Sequence, residues 1–448
     1  MRREDWQKMI TQPLGRRGFL KGATGAALAL GAMSAGHRPA SAAILDDQVR
    51  MSRARLDELA ATGYAIFNQG KVLPPFDPAR HGAGADVDLH RITTFTQVPE
   101  TGETVKVSGL LAVPAKAKGP IPVVSWQHGT IVSFVQVPSR IGSLAAPGEV
   151  MTDGYDSTET LFNLHRFASH GYAVIAADYL GKGPYRGNRQ EGYAVKDATT
   201  QTCVDILNAG LQGLRQLGLE PAELFLNGWS QGGLNTQWLR QELQRTGVPV
   251  RAAGASSPFN DLSEAFMFWA GGVSFPAPEP TPFPPRPAWI CLTTAMLLAS
   301  YETYYRLDGL VKAAVRPEYY AATAKFLNDY AFDFDIDKLP MPEGLLIEGF
   351  MARPTSEVAG RFLRQLAANR ASYWEYGSPM RLFYGLADEA LHPAMVTRAV
   401  SAGGHFCDGV GIKRASHRAT FLASLYGGPD ELDGKPNLRD WFDGLRAG

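Results

Sequence analysis

The pentapeptide GWSQG at residues 228–232 constrains the fold more than any other segment, because it joins a predicted strand directly to a predicted helix. Residues 224–227 (LFLN) are typical of a short buried strand, and residues 234–244 have helical periodicity. A G-x-S-x-G pattern in this setting predicts a strained turn that presents the serine hydroxyl above the sheet, with small residues on both sides so that strand and helix approach closely. A merely structural turn is the alternative. Ser230 is therefore the candidate nucleophile.

Predicted strands and helices alternate on both sides of this turn. Strands are predicted at residues 90–96, 105–113, 122–126, 172–178 and 250–255, and helices at 161–170 and 198–217. The first two strands read as a hairpin across residues 99–102, and the later ones are separated by helices, which requires parallel pairing with crossovers. The pattern predicts an α/β fold with a mostly parallel central sheet flanked by helices.

The alternation stops near residue 261 and resumes after residue 380. Residues 275–288 are dense in proline and phenylalanine, and helical stretches are predicted at 290–307, 317–330 and 356–369. The region 261–376 is therefore predicted to be an inserted, mainly helical cap. It divides the core into a first part, residues 43–260, and a second part, residues 377–448.

Residues 127–130 (QHGT) follow the third predicted strand directly. In a fold with a G-x-S-x-G turn, one donor of the oxyanion hole comes from this loop and the other from the residue after the serine. This predicts the backbone N–H groups of Gln231 and of either Gly129 or Thr130. Because the backbone donates there, His128 is interpreted as a packed structural residue.

A catalytic carboxylate is expected just after the strand that follows the cap, since the order in this fold is serine, acid, histidine. The strand-like segment RLFYG ends at Gly385, and Asp388 lies three residues later. Glu389 is the alternative. The position of the strand end and the G-x-x-D spacing favour Asp388, which would orient an imidazole and stabilise its charged form.

The base must lie further along the chain, and His392, His405 and His417 are the candidates. His392 lies only four residues after Asp388, which leaves no room for a helix and a strand between them. His405 follows the next predicted helix too closely for another strand to lie between them. His417 comes after a possible strand at 407–413 and opens the last predicted helix, so it is favoured over His405.

The first 42 residues are predicted to be a twin-arginine signal peptide rather than part of the fold. Residues 16–21 (RRGFLK) match the export signature, a weakly apolar stretch covers 22–36, and residues 40–42 (ASA) form an A-x-A cleavage site. A retained membrane anchor is the alternative, but the stretch is short and rich in glycine. We expect a periplasmic or secreted protein that meets the twin-arginine export machinery and keeps no stable membrane anchor.

Charge and cysteine content restrict the partners. The chain has 44 basic and 44 acidic residues, and without residues 1–42 it would hold 37 basic and 42 acidic ones. No excess of basic residues that would bind nucleic acid is therefore expected. Cys203, Cys291 and Cys407 form no C-x-x-C, and no H-x-x-x-H or H-E-x-x-H pattern occurs. Neither a metal nor a cofactor is expected. One disulfide and three free thiols are both compatible with this number of cysteines.

The chain resembles the α/β-hydrolase superfamily and, within it, bacterial secreted lipases and esterases related to the secretory lipase family. The residues behind this resemblance are QHGT at 127–130, SHGYAVIAADYLGKG at 169–183, NGWSQGG at 227–233, SSPFNDL at 256–262, GLADEALHP at 385–393 and SHRATFL at 416–422. Trp229 stands where the family more usually has tyrosine. The resemblance implies metal-free hydrolysis of carboxylic esters, with Ser230, Asp388 and His417 matching the catalytic triad.

Three functions are compatible with these residues. The first is an esterase or lipase acting on a small-molecule or lipid ester, with an apolar cap containing the residues Phe266, Met267, Phe268, Trp269 and Phe275. The second is a peptidase or amidase, which would need acidic cap residues such as Glu302 or Glu343 to bind a substrate amino terminus. The third is a non-catalytic binding protein, against which the intact order of serine, acid and histidine argues.

Overall fold

The computed structural model describes residues 44–146, 148–149, 158–276, 278, 282–330, 339–350 and 356–447. The predicted signal peptide, residues 1–42, lies outside this part of the chain. A single nine-stranded sheet runs through the molecule in the order β1-β2-β3-β5-β4-β6-β7-β8-β9. Its strands are β1 Ile44–Met51, β2 Val87–Gln97, β3 Thr104–Pro114, β4 Gly119–Gln127, β5 Ala173–Ala177, β6 Leu219–Trp229, β7 Ala252–Ser256, β8 Met380–Gly385 and β9 Cys407–Ile412.

The sheet changes from antiparallel to parallel along its width. Strands β1, β2, β3 and β5 pair antiparallel, and every pair from β5 to β9 is parallel. The carboxyl ends of β4, β6, β7, β8 and β9 therefore lie at one edge of the sheet. The predicted architecture, a mostly parallel sheet that starts with an antiparallel hairpin, is confirmed.

Helices cover both faces of this sheet. The helices of the core are α1 Arg53–Phe67, α2 Pro78–His81, α3 Thr158–Arg166, α4 Lys196–Gln216, α5 Gln231–Arg245, α12 Pro393–Ala402, α13 His417–Tyr426 and α14 Leu438–Ala447. Residues of α1, α3, α13 and α14 share one hydrophobic cluster, and residues of α4, α5 and α12 share another. Adjacent residues of one strand alternate between them: Leu110 belongs to the first and Leu111 to the second.

The region inserted between β7 and β8 forms most of a third cluster, which also includes core residues such as Leu234 and Trp238 of α5. Its helices are α6 Leu262–Trp269, α7 Ile290–Tyr304, α8 Leu310–Ala314, α9 Tyr320–Asp329, α10 Pro342–Leu345 and α11 Glu357–Ala368. Their aromatic and aliphatic residues pack together as one buried group. The Trp269 indole also donates to the carbonyl of Ala390 at 2.9 Å, which ties this helical region to the loop after β8. No helix within the described ranges is long and apolar enough to cross a membrane.

Strand β1 and helix α1, near the N-terminus, were not predicted. Strand β1 carries two adjacent aspartates, so its apolar residues do not alternate clearly, and its register with β2 shifts between Asp46 and Val49. Helix α1 is capped by Ser52, whose hydroxyl accepts a hydrogen bond from the Arg55 N–H at 3.2 Å. Both elements are stabilised by tertiary contacts, which local patterns of the sequence do not reveal.

A buried histidine joins three helices on the face of the sheet covered by α1. His165 Nε2 lies 3.0 Å from Asp57 Oδ1, and its Nδ1 lies 2.8 Å from the Tyr426 hydroxyl. Since a carboxylate only accepts, Nε2 donates to Asp57 and Tyr426 donates to Nδ1, so the neutral ring satisfies both partners. Burial lowers the pKa of His165 to about 3, despite the opposing effect of Asp57.

We predict that the protein loses stability as the pH falls from about 6.5 towards 3. The unfolded chain binds a proton at His165 near pH 6.5 and the folded chain does not, so the free energy of unfolding falls by up to about 1.4 kcal/mol per pH unit from this group. Chemical denaturation between pH 4 and 8 measures the slope of the free energy of unfolding against pH. His165→Gln should flatten it, and His405→Gln, on an exposed side chain, should leave it unchanged. Equal slopes in all three proteins would contradict the assignment.

Candidate active site

Ser230 lies at the junction of β6 and α5, in a conformation that few non-glycine residues adopt. Its backbone has φ 56° and ψ −120°, and strained dihedrals of this kind cost about 1–3 kcal/mol. The Ser230 N–H donates to the carbonyl of Ser256 at the end of the neighbouring strand, at 2.9 Å. The turn is thus held by the sheet itself. The hydroxyl lies at the carboxyl edge of the sheet, and 8% of the residue remains exposed.

The glycine two residues after Ser230 allows helix and sheet to meet. A Cβ atom at Gly232 would overlap the backbone carbonyl of Gln127 at the end of β4. The first turn of α5 therefore lies directly against the strand that precedes the QHGT loop. This contact brings the serine turn and residues 128–130 to the same place.

Asp388 and His417 are hydrogen-bonded. Both carboxylate oxygens of Asp388 lie 3.0 Å from His417 Nδ1. Asp388 Oδ1 also accepts from the N–H groups of Ala390 at 3.1 Å and Leu391 at 2.9 Å, so its own loop orients the carboxylate. Because the carboxylate accepts, His417 Nδ1 carries the proton and Nε2 is left as the basic nitrogen. The geometry matches an acid that orients a base.

The His417 backbone is held as firmly as its ring. Its N–H donates to Glu389 Oε2 at 3.1 Å, and its carbonyl accepts from Trp229 Nε1 at 3.2 Å. The Trp229 and His417 rings lie 5.0 Å apart between centroids. Trp229 immediately precedes Ser230, so these contacts bring His417 next to the serine turn. Neither Glu389 nor Trp229 was assigned this position from the sequence.

Burial and two neighbouring carboxylates dominate the pKa of His417. Burial, the largest effect, lowers its pKa, but Asp388 raises it through charge and hydrogen bonding, and Glu389 raises it further. The pKa of His417 therefore lies above its ordinary value. For Glu389, burial and then the Asp388 charge raise the pKa of the carboxyl group.

The other two candidate histidines lie elsewhere. His405 is exposed in the turn before β9, with its ring 4.0 Å from that of Phe406. His392 accepts from the Ala394 N–H and caps α12, with its ring packed 4.9 Å from Phe275 and 4.6 Å from Phe283. Neither is hydrogen-bonded to Asp388 within the described residues.

The QHGT loop distinguishes the two candidate oxyanion donors. The Gly129 N–H donates to Glu159 Oε1 of α3 at 3.2 Å, whereas the Thr130 N–H has no acceptor among the described residues. The N–H of Gln231, the first residue of α5, is likewise free of an intrahelical partner. The structure thus favours Thr130 over Gly129 as the partner of Gln231. Glu159 was not singled out from the sequence, because only tertiary packing brings α3 to this loop.

His128 and Thr130 are held by side chains from the core. The His128 ring stacks on Tyr179 at 3.9 Å, and complete burial lowers its pKa to about 3, so the ring is neutral. The Thr130 hydroxyl lies 2.8 Å from the Tyr193 hydroxyl. This fits the interpretation of His128 as a packed residue.

A buried ion pair supports the remainder of this loop. Lys182 Nζ lies 3.1 Å from Glu191 Oε2 and donates to the carbonyls of Ile131 and Ser133. The Tyr330 hydroxyl, at the end of α9, also donates to Glu191. The loop after β4 is therefore attached both to the core and to the cap.

An apolar cavity of about 220 Å³ lies within the cap. Its lining comes from α7, α9 and α10 and includes Cys291, Leu292, Ala295, Phe326 and Leu345. The Trp289 ring, one residue before α7, lies 6.4 Å from the His417 ring, and Cys291, which lines the cavity, follows Trp289 by two residues.

The apolar residues singled out from the sequence do not line this cavity. Phe266, Phe268 and Trp269 are buried in the packing of the cap, Met267 is 37% exposed, and Phe275 packs on His392. Periodicity alone could not distinguish residues that fill the cap from residues that border an empty space. The three cysteines, Cys203, Cys291 and Cys407, are free thiols.

The sequence matches no protein-family model and no curated protein sequence. Solved structures share its architecture. A Legionella pneumophila protein classed provisionally as a hydrolase superposes with a TM-score of 0.69 at 20% identity, over 91% of this chain and 98% of the other. The rice cell wall degrading esterase LipA from Xanthomonas oryzae gives 0.66 at 19% identity, over 88% and 97%. Candida antarctica lipase A in its closed state gives 0.55 at 13%, over 74% and 73%.

The chain has the α/β-hydrolase fold. The fold predicted from the sequence is confirmed by these neighbours and by the strand order. Within the α/β-hydrolase fold, the strained serine turn after β6 lies where the nucleophile of such enzymes is presented. At these identities the likeness concerns the fold alone.

We predict that Gly232→Ala destabilises this fold strongly, because its Cβ would meet the Gln127 backbone. Overpacking of this kind costs about 1–3 kcal/mol or more. Gly360→Ala on α11 is the matched control, since the nearest atom to its Cβ is Arg364 Nη1 at 3.5 Å. Gly360→Ala should raise the free energy of unfolding by about 0.5–1 kcal/mol. Thermal unfolding compares the two, and a wild-type Tm for Gly232→Ala would contradict the close contact.

Proposed function

We propose that the protein is an exported serine hydrolase that cleaves carboxylic esters through Ser230, His417 and Asp388. The observation that carries the proposal is the Asp388–His417 hydrogen bond beside the strained Ser230 turn, at the carboxyl edge of the sheet. The esterase and lipase named among the structural neighbours are consistent with it. The mechanism requires no metal and no cofactor.

The reaction proceeds in two halves. His417 Nε2 takes the Ser230 hydroxyl proton as the oxygen attacks the ester carbonyl, and the resulting oxyanion is bound by the N–H groups of Gln231 and Thr130. The tetrahedral intermediate collapses, and His417 delivers the proton to the leaving alcohol. Water then attacks the acyl-enzyme with His417 again as base, which releases the acid and restores Ser230. Asp388 holds Nδ1 and stabilises the imidazolium at each stage.

The cap cavity favours esters with an apolar acyl chain. At about 220 Å³ it exceeds the roughly 150 Å³ apolar cavity that binds benzene in an engineered protein. Its lining is mostly aliphatic and aromatic, and α7, which supplies part of that lining, begins one residue after Trp289, whose ring lies 6.4 Å from that of His417. An alkyl chain bound there would gain free energy by leaving water.

A peptidase or amidase finds no support in the acidic cap residues considered for it. Glu302 accepts from the Val311 N–H at 2.7 Å and so anchors α8, and Glu343 forms an ion pair with Arg286 at 2.8 Å. Both carboxylates are engaged by the cap itself.

The export route belongs to the same proposal. Residues 1–42 would direct the protein through the twin-arginine machinery and be removed near residue 42, which leaves the mature enzyme in the periplasm or outside the cell. Its partners would be small-molecule or lipid esters and no nucleic acid, in line with the acidic balance of residues 43–448.

We predict that the protein hydrolyses p-nitrophenyl esters, tested from acetate to palmitate. Ser230→Ala and His417→Ala should lower kcat by at least about 10⁴-fold, and Asp388→Asn by about 10⁴-fold through the wrong tautomer. His405→Ala is the control and should retain wild-type rates, because its side chain is exposed away from the site. Cleavage of amino-acid p-nitroanilides without any ester hydrolysis would favour the amidase, and no turnover at all would favour a binding protein.

We predict that filling the cavity shortens the preferred acyl chain. Ala295 lines the cavity, so Ala295→Leu should lower kcat/KM for long-chain esters at least about tenfold while leaving acetate hydrolysis near wild type. Ala324→Leu, on an exposed position of α9, is the matched control and should change neither. An unchanged chain-length profile in Ala295→Leu would show that the acyl chain does not bind in the cavity.

A further inference from the structure

Glu389 is a second carboxylate at the catalytic histidine, and the ester-hydrolysis mechanism above does not use it. Its Oε2 accepts from the His417 N–H at 3.1 Å, while the adjacent Asp388 binds the His417 ring at 3.0 Å. One short loop after β8 therefore holds the same histidine at its backbone and at its side chain. Its sequence neighbour Ala390 is in turn bound by the cap through Trp269.

This contact lies at the first turn of α13, where backbone N–H groups need acceptors. His417 is the first residue of α13. The N–H groups in the first turn of a helix have no acceptors within the helix. The Ser416 hydroxyl accepts from the Ala419 N–H at 3.3 Å, and Glu389 accepts from the N–H of His417 itself. A carboxylate at a helix N-terminus is favoured by the helix dipole. Loss of Glu389 would leave the first turn of α13 without one acceptor.

We propose that Glu389 is a positioning residue that fixes the His417 backbone against the Asp388 loop and whose negative charge favours the imidazolium form of His417. The proposal rests on the proposed function of His417 as the base of an ester hydrolase.

Few other charges surround His417. Asp388 and Glu389 approach from the loop after β8, and Arg418 belongs to α13 and opposes them. Arg418 extends over the Phe67 ring of α1, 5.3 Å from its centroid. The neighbours from β6 and from the cap, Trp229 and Trp289, are uncharged aromatic residues. Glu389 is therefore the second anion beside the base, and the imidazolium in the transition state is stabilised by both.

Two variants of Glu389 separate its role as a hydrogen-bond acceptor from its role as a negative charge. Glu389→Gln keeps an oxygen that accepts from the His417 N–H but removes the charge, whereas Glu389→Ala removes both. We expect Glu389→Gln to move the acid limb of kcat/KM down by about 0.5 pH unit or more, with kcat at high pH within about threefold of wild type and KM unchanged. Glu389→Ala should show the same shift and, in addition, a roughly tenfold lower kcat, because the histidine is less well held.

A readout independent of turnover completes the test. The His417 ring is titrated directly by NMR in protein labelled with ¹³C-histidine, and its signal is identified by its loss in His417→Gln. Glu389→Gln should lower the pKa of His417, and Glu318→Gln, an exposed glutamate of the cap, should not. Labelling of Ser230 by a fluorophosphonate counts the folded, reactive sites in each variant.

Each outcome decides the matter. An NMR titration and an acid limb that are both unchanged in Glu389→Gln, together with wild-type kcat in Glu389→Ala, would overturn the proposal. A lowered pKa of His417 without any ester hydrolysis in the wild-type protein would leave the role of Glu389 intact and overturn the proposed function instead.

Discussion

The close contact between α5 and the end of β4 governs the arrangement of the site. Because residue 232 has no side chain, the first turn of α5 lies directly on the backbone of Gln127. The strained Ser230 backbone is stable only because β7 and this contact hold it on both sides. The same contact fixes the distance between the serine turn and the QHGT loop, so the candidate nucleophile and the candidate oxyanion donors are positioned by one packing arrangement.

Trp229 extends this arrangement to His417. Its indole binds the His417 carbonyl, its ring packs against those of His417 and Phe421, and a Cβ at Gly129 would lie 2.9 Å from it. Trp229 therefore contacts α13, which begins with His417, and lies against the loop that contains Gly129 and Thr130.

Buried charge in the loops is balanced locally. Lys182 and Glu191 are paired inside the protein, and Lys182 also binds two carbonyls of the loop after β4. A buried pair of this kind adds little net stability but imposes one geometry, since removing either partner leaves an uncompensated charge. Together with Tyr330, the pair attaches the cap to the loop that holds Thr130. The cap and the site thus share one set of supports.

The sequence by itself determined the alternation of strands and helices, the serine turn and the interrupted middle region, because these depend on local periodicity and on glycine at fixed spacing. It also narrowed the acid and base to Asp388 and His417, whose roles remain predictions, through the order of elements along the chain. Only the tertiary structure decided the rest. It showed that Gly129 is occupied by Glu159 while Thr130 is not, and that Glu389 and Trp229 hold the histidine backbone. These contacts join segments far apart in sequence, and no local pattern encodes which of several polar groups meet once the sheet has assembled.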